Sequence, residues 1–182
     1  MFIQTEATPN PLTLKFIPGV PVMPSGTLFF TSHEGAKQSP LAYALFDVAD
    51  VSAVFLSGDF ISVTKSEQAD WNVLKPQLLT AIMDHFTTGK PVLAEAKHAA
   101  VSGEADSEIA SQIRELIDTR VRPAVAQDGG DIVFKSFEDG IVRLELHGAC
   151  SGCPSSTATL KQGIENMLKH YVPEVIAVEA VN

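Results

Sequence analysis

The stretch Gly148-Ala149-Cys150-Ser151-Gly152-Cys153-Pro154 holds both cysteines of the 182-residue chain. Before it, Val142, Leu144 and Leu146 alternate with Arg143, Glu145 and His147, the two-residue period of a half-buried strand. After it, Pro154 sits where a first helical residue accepts proline, and Leu160, Ile164, Met167, Leu168 and Tyr171 recur at helical spacing until Pro173. The stretch is therefore a strand-to-helix junction. Unpaired N–H groups and the positive end of the helix dipole favour thiolate there. The junction is expected to present two soft anionic ligands outward.

Working outward, Ile109, Ile113, Leu116, Ile117, Val121 and Val125 predict an amphipathic helix, capped by Asp106 or Ser107 and bent at Pro123. Asp128-Gly129-Gly130-Asp131 ends it, because glycine accepts the left-handed conformation that closes a helix. Residues 132–137 and 141–147 form a hairpin around Glu138-Asp139-Gly140, and 175–181 a closing strand. The order over residues 107–182 is α-β-β-α-β.

Upstream, residues 88–106 have no sustained apolar period and read as a flexible linker. Residues 1–87 form a first unit. Thr8-Pro9-Asn10-Pro11 is a turn; Leu12, Leu14 and Phe16 mark a strand; residues 18–26 are a loop, and Leu28-Phe29-Phe30 resumes a strand. Ser39-Pro40 starts a short helix with Leu41, Leu45 and Val48 on one face. Residues 51–56 and 60–64 are a hairpin, and Asp70 caps a helix carrying Trp71, Leu74, Leu78, Ile82 and Phe86 on one side, with Pro76 kinking it or forcing a 3₁₀ first turn. The fold class is α+β, in two small α+β domains. The first has no cysteine and no clustered ligands, so the chemistry belongs to the second.

Composition narrows the partners. Net charge is −9, and residues 1–106 carry 6 basic and 11 acidic side chains against 7 and 11 in residues 107–182. Neither half is basic, so nucleic acid is disfavoured. No apolar run reaches membrane-spanning length, which points away from a membrane. Two cysteines in one CxxC make no disulfide framework and fit a reducing compartment. The start of the chain has neither a secretory nor an Arg-rich transit pattern, which points to a soluble intracellular protein.

Four readings of Cys150 and Cys153 compete. A thioredoxin-like redox pair has the helix start but follows an antiparallel hairpin, and only 29 residues follow Cys153. Structural zinc needs four ligands, and one chain offers two cysteines and, at a stretch, His147 on the polar face of its strand. A pair of inert cysteines is the plainest reading. The favoured one is an iron–sulfur cluster, which usually takes four thiolates, so that two chains complete the set around a shared cluster. Two ligands per subunit near solvent suit a cluster that is handed on.

The stretch 148–157, with Thr159-Leu160-Lys161, Gly163-Ile164 and Tyr171-Val172-Pro173-Glu174-Val175, closely resembles the NifU C-terminal-like (Nfu) domain, and Gln127-Asp128-Gly129-Gly130-Asp131-Ile132 is similar to that domain's second signature. Thr8-Pro9-Asn10-Pro11, Leu14-Lys15-Phe16, Ser39-Pro40-Leu41-Ala42 and Asp59-Phe60-Ile61 resemble the N-terminal domain of bacterial and mitochondrial Nfu proteins. The resemblance implies a non-enzymatic scaffold or carrier that holds a [4Fe-4S] cluster between two subunits and delivers it to apo client proteins, loaded by upstream assembly proteins. It implies Cys150 and Cys153 as the ligands and a cluster-bridged homodimer. The expected location is the bacterial cytoplasm, with the mitochondrial matrix, as a mature form, the alternative. Val48-Ala49-Asp50-Val51 departs from a glycine often found before the hairpin, which questions the turn geometry there. The runner-up function is a thiol–disulfide oxidoreductase using the CxxC pair.

Overall fold

Residues 1–94, 108–151 and 154–181 are described by the computed structural model. The chain divides into two compact units, Met1–His98 and Ala99–Asn182. The linker reading falls largely, and the Asp106/Ser107 cap wholly, outside the described residues.

In the first unit, β1 (Gln4–Ala7), β2 (Thr13–Ile17), β3 (Leu28–Phe30), β4 (Val51–Leu56) and β5 (Ile61–Lys65) form an antiparallel sheet ordered β1-β2-β5-β4-β3. Phe16, Val54, Leu56, Ile61 and Val63 pack in one core with α1 (Pro40–Phe46) and α2 (Trp71–Thr87), which contribute Leu41, Leu45, Leu74, Leu78 and Ile82. The predicted caps form: the Ser39 hydroxyl accepts from the Ala42 amide at 3.2 Å, and the Asp70 carboxylate from the Asn72 amide at 2.9 Å.

The first unit departs from expectation in three places. Strand β1 has no sequence counterpart, because it is an edge strand with a burial pattern too exposed to alternate. Helix α2 runs through Pro76 without a 3₁₀ start; the proline lies one turn in, on the exposed side, and costs one helical hydrogen bond at the frayed end. In the Val48–Val51 stretch, where the resemblance leads one to expect a glycine, the backbone of Asp50 is left-handed at φ 68°. A short polar side chain tolerates this conformation, and the Asp50 carbonyl accepts from the Ser66 amide at 2.8 Å.

The second unit has the predicted α-β-β-α-β order. Its first helical run is continuous but changes character: α3 (Glu108–Leu116), a π-helical turn (Ile117–Val121), then α4 (Arg122–Gln127). The π turn lies directly ahead of Pro123, where the missing amide removes the ordinary helical donor, and takes the place of the simple bend expected there. Hairpin strands β6 (Gly130–Glu138) and β7 (Ile141–Gly148) meet at Asp139 and Gly140, both with positive φ (51° and 78°), the geometry of a type I′ turn. Strand β8 (Ala177–Val181) pairs parallel to β7, and α5 (Pro154–Tyr171) is the crossover between them. Val142, Leu144, Leu146 and Val178 pack against Ile113, Ile117, Val121, Val125, Ile164 and Leu168. Tyr171, expected on the apolar face, is exposed, with the Arg120 guanidinium 4.9 Å from its ring centre.

Candidate functional site

Two sequence features meet at one end of the β6–β7 hairpin. Because Gly130 pairs with Gly148, the Asp128–Asp131 turn that starts β6 lies beside the cysteine loop that leaves β7. Gly129 (φ 78°) and Gly148 (φ 64°) make both turns in conformations that a side chain would strain. The Ala149 amide donates to the Gly129 carbonyl at 3.1 Å, tying the loops together. Within the cysteine loop, the Ser151 amide and hydroxyl both donate to the Gly148 carbonyl (3.1 and 2.9 Å). The Thr157 hydroxyl, on the first turns of α5, donates to the Cys150 carbonyl at 3.2 Å.

Cys150 does not face outward, contrary to the expectation. It is 8% exposed and packs in the same core as Ile113, Ile132 and Leu146. A Cβ on Gly130 would stand 2.4 Å from its Sγ, 2.9 Å from the His147 carbonyl and 3.0 Å from the Cys150 amide. Only glycine leaves this space. Burial, and then the carboxylates of Asp128 and Asp131, push the Cys150 thiol up to about 12. The helix-start argument loses at this position because desolvation penalises the thiolate and the nearest charges are negative. Cys153 lies outside the described residues.

Asp131 is the other buried charge at this end. Its side chain is 5% exposed and takes a bidentate pair from Arg122, Nε to Oδ1 and Nη2 to Oδ2, both at 2.8 Å. Its own following amide, Ile132 N–H, donates to Oδ1 at 2.8 Å. The hydrogen bonds from Asp131 hold the Arg122 guanidinium above its ordinary value. Arg122 also reaches Asp118 at 3.2 Å. The sequence showed the Asp-Gly-Gly-Asp run as a helix stop and a signature; its contact with the cysteine loop is readable only from the strand register.

His147 belongs to another surface. It alternates with the buried Leu146, and its Nε2 is 2.9 Å from Glu145 Oε1, while Lys135 also binds that carboxylate. These partners hold Glu145 below its usual carboxylate range, the Lys135 hydrogen bond most strongly. His147 is thus committed along the polar face of the sheet, away from the core that takes Cys150. Among the described residues no three His, Cys, Asp or Glu side chains converge as a metal site.

The chain can do two things at this end: offer soft sulfur donors, and hold one of them in a tailored, dry space. Thiolates are the donors that iron–sulfur clusters take.

Two family models match the chain: "Scaffold protein Nfu/NifU N terminal" over residues 3–89 and "NifU-like domain" over residues 113–179. Among curated proteins, the chain is 52% identical to the NFU1 iron-sulfur cluster scaffold homolog, mitochondrial, of Homo sapiens, over all of this chain and 72% of that protein. It is 52% identical to the protein of the same name in Drosophila virilis (all of this chain, 62% of that one). It is 51% identical to NifU-like protein 4, mitochondrial, of Arabidopsis thaliana (98% of this chain, 65% of that one). The chain thus spans less than two thirds of the Drosophila and Arabidopsis proteins. A solution NMR structure of a NifU-like protein from Saccharomyces cerevisiae aligns with 53% of this chain and 87% of its own, at 22% identity and a TM-score of 0.48.

Proposed function

Because the chain belongs to the Nfu/NifU family of iron–sulfur cluster scaffolds, we propose that it holds a [4Fe-4S] cluster between two copies of itself and passes it to apo client proteins. Cys150 and Cys153 are the ligands. The observation that carries this reading is the ligand shortage: the chain has two cysteines, where a cluster takes four. Two chains supply the set, and each loses only two bonds when an acceptor's thiols displace it. The protein acts as a carrier and not as a catalyst.

The inward Cys150 thiol supports cargo binding over dithiol catalysis. An oxidoreductase needs a thiol with a lowered pKa, whereas burial pushes this one up to about 12. Metal ligation removes the proton outright, so a buried neutral thiol is a workable ligand and a poor nucleophile. Loading then requires Sγ to leave its place against Gly130 and turn toward the cluster, with release of the thiol proton. A disulfide-reduction assay on the reduced protein separates the two functions; turnover at the rate of a dithiol enzyme would overturn the carrier reading.

Residues 107–182 are the cluster-binding domain, residues 1–87 a separate domain and 88–106 the connection. Residues 107–182 alone are expected to fold and take up a cluster; a folded fragment that stays colourless would assign part of the site to the first domain. Among the described residues no helix is long and apolar enough to cross a membrane. The human and Arabidopsis relatives are mitochondrial by name, which favours the mitochondrion over the bacterial cytoplasm as the compartment.

The experiment for transfer mixes holo-protein with an apo [4Fe-4S] enzyme and a chelator under anaerobic conditions. Activation that persists in chelator marks direct hand-over. Activation that falls in step with chelator concentration marks release to solution and contradicts the carrier role.

A further inference from the structure

We propose that Arg122 and Asp131 are positioning residues for the Cys150 thiol, a buried ion-paired clamp that holds Sγ inward in the apo-protein and thereby sets how readily it turns out to bind a cluster. This inference rests on the carrier reading for its functional consequence and on the geometry for its structural one.

Asp131 is placed to act at a distance of one and two residues. Its neighbour Gly130 is the residue against which Sγ packs, at a separation that leaves no room for a Cβ. Gly129, two residues back, supplies the carbonyl that receives the Ala149 amide. Any rotation of the backbone at Asp131 therefore moves both contacts of the cysteine loop together. Three hydrogen bonds at 2.8 Å oppose that rotation: two from Arg122 and one from Ile132 N–H. With its side chain 5% exposed, Asp131 has little water to replace a lost partner.

Arg122 is fixed from its own side. It is the first residue after the π turn, Pro123 restrains the backbone directly behind it, and Asp118 binds its Nη1. The fork of the guanidinium matches both carboxylate oxygens, and a lysine at the same place would keep the charge but lose the pairing. A charge pair used only for stability has no need of this geometry beside a glycine that touches a ligand thiol. The chain from helix to ligand runs Arg122, Asp131, Gly130, Cys150.

The test uses the full chain with three substitutions, Arg122→Lys, Asp131→Asn and Asp131→Glu. Each is read in two ways: the rate of Cys150 alkylation in the apo-protein, mapped by mass spectrometry, and the half-life of the reconstituted cluster under chelator, followed by its visible absorption. Circular dichroism at the assay temperature confirms that the variant is folded. The clamp predicts faster Cys150 alkylation and, because the inward seat of Sγ then competes less with the cluster, a cluster half-life longer by roughly tenfold, the scale of one lost charge-assisted hydrogen bond. Asp131→Glu, which keeps the charge, moves both readouts less than Asp131→Asn. A folded Arg122→Lys protein with wild-type alkylation and wild-type half-life would overturn the proposal, and this variant decides the matter if Asp131→Asn fails to fold. A wild-type protein that takes up no cluster would instead refute the carrier reading, while the apo alkylation rates would still test the clamp.

Discussion

His85 in the first unit and Cys150 in the second are both buried titratable side chains, 4% and 8% exposed, and burial drives both toward their neutral forms. Their surroundings differ. Among the described residues the Nε2 of His85 meets no hydrogen-bond partner, and the positive charge of Lys90 adds to the cost of protonating the ring. Its ring meets Phe86 edge-on, with centroids 5.5 Å apart. Cys150 sits against a glycine that no other residue could replace without a clash, in a loop tied by named hydrogen bonds and backed by a bidentate ion pair. Burial by itself marks a polar group that a core tolerates. Burial inside a fitted frame marks a group the structure is holding for use.

The largest expected effect follows from the thiol. In the unfolded chain Cys150 has its ordinary value near 9.0, and in the fold it rises to about 12. At pH 8 the thiolate fraction of the folded apo-protein is then lower by about three orders of magnitude, since each pKa unit is tenfold. Alkylation of Cys150 in native apo-protein should be slower than in urea by a comparable factor. The sign extends to stability: the neutral buried thiol contributes fully below the unfolded value and that contribution is lost as pH rises from 9.0 toward 12. Equal alkylation rates in native buffer and in urea would dissolve the contrast between a framed thiol and an exposed one.

Glycine substitutions sharpen the comparison at the next scale. Gly130→Ala places a methyl group 2.4 Å from Sγ and 2.9 Å from a backbone carbonyl, so the strand or loop must shift. A loss of roughly 1–3 kcal/mol is expected, the usual cost of overpacking. Gly163→Ala, in α5 with open space around the added carbon, should instead stabilise by up to about 1 kcal/mol through helix propensity. Denaturant melts of the two variants measure the difference; Gly130→Ala at wild-type stability would mean that the frame yields freely.

The smallest effect belongs to His85. Its folded pKa lies below 6.5, first from desolvation and then from Lys90. Its stability contribution is therefore complete above pH 6.5 and lost as pH falls from there through the lower folded value, because the unfolded chain binds the proton first. His85→Leu should flatten that part of the stability–pH curve for the first unit. An unchanged slope would assign the acid sensitivity to other groups.

The same comparison shows what a sequence carries. The alternation of Val142, Leu144 and Leu146, the Asp139-Gly140 turn, the Ser39 and Asp70 caps and the Pro154 helix start are local signals, each decided by a few adjacent residues, and each is found in place. Strand β1 is not legible because an exposed edge strand has no burial period to read. The direction of Cys150 is not legible either. A helix start favours a thiolate, but whether the side chain reaches solvent depends on Gly130, twenty residues away, and on the register that pairs it with Gly148. The π turn is likewise not announced by the apolar spacing of the helix, in which Pro123 predicts only a bend.

The proposed carrier role turns on two chains sharing one cluster through Cys150 and Cys153. Native mass spectrometry of the anaerobically reconstituted protein, with iron and sulfide determined on the same sample, tests it most directly. A shared site gives a species of two chains with four irons and four sulfides, which returns to apo chains on oxidative loss of the cluster. It also predicts that Cys150→Ser and Cys153→Ser each abolish this species. A monomer carrying four irons per chain, or a full cluster retained in either variant, would contradict it.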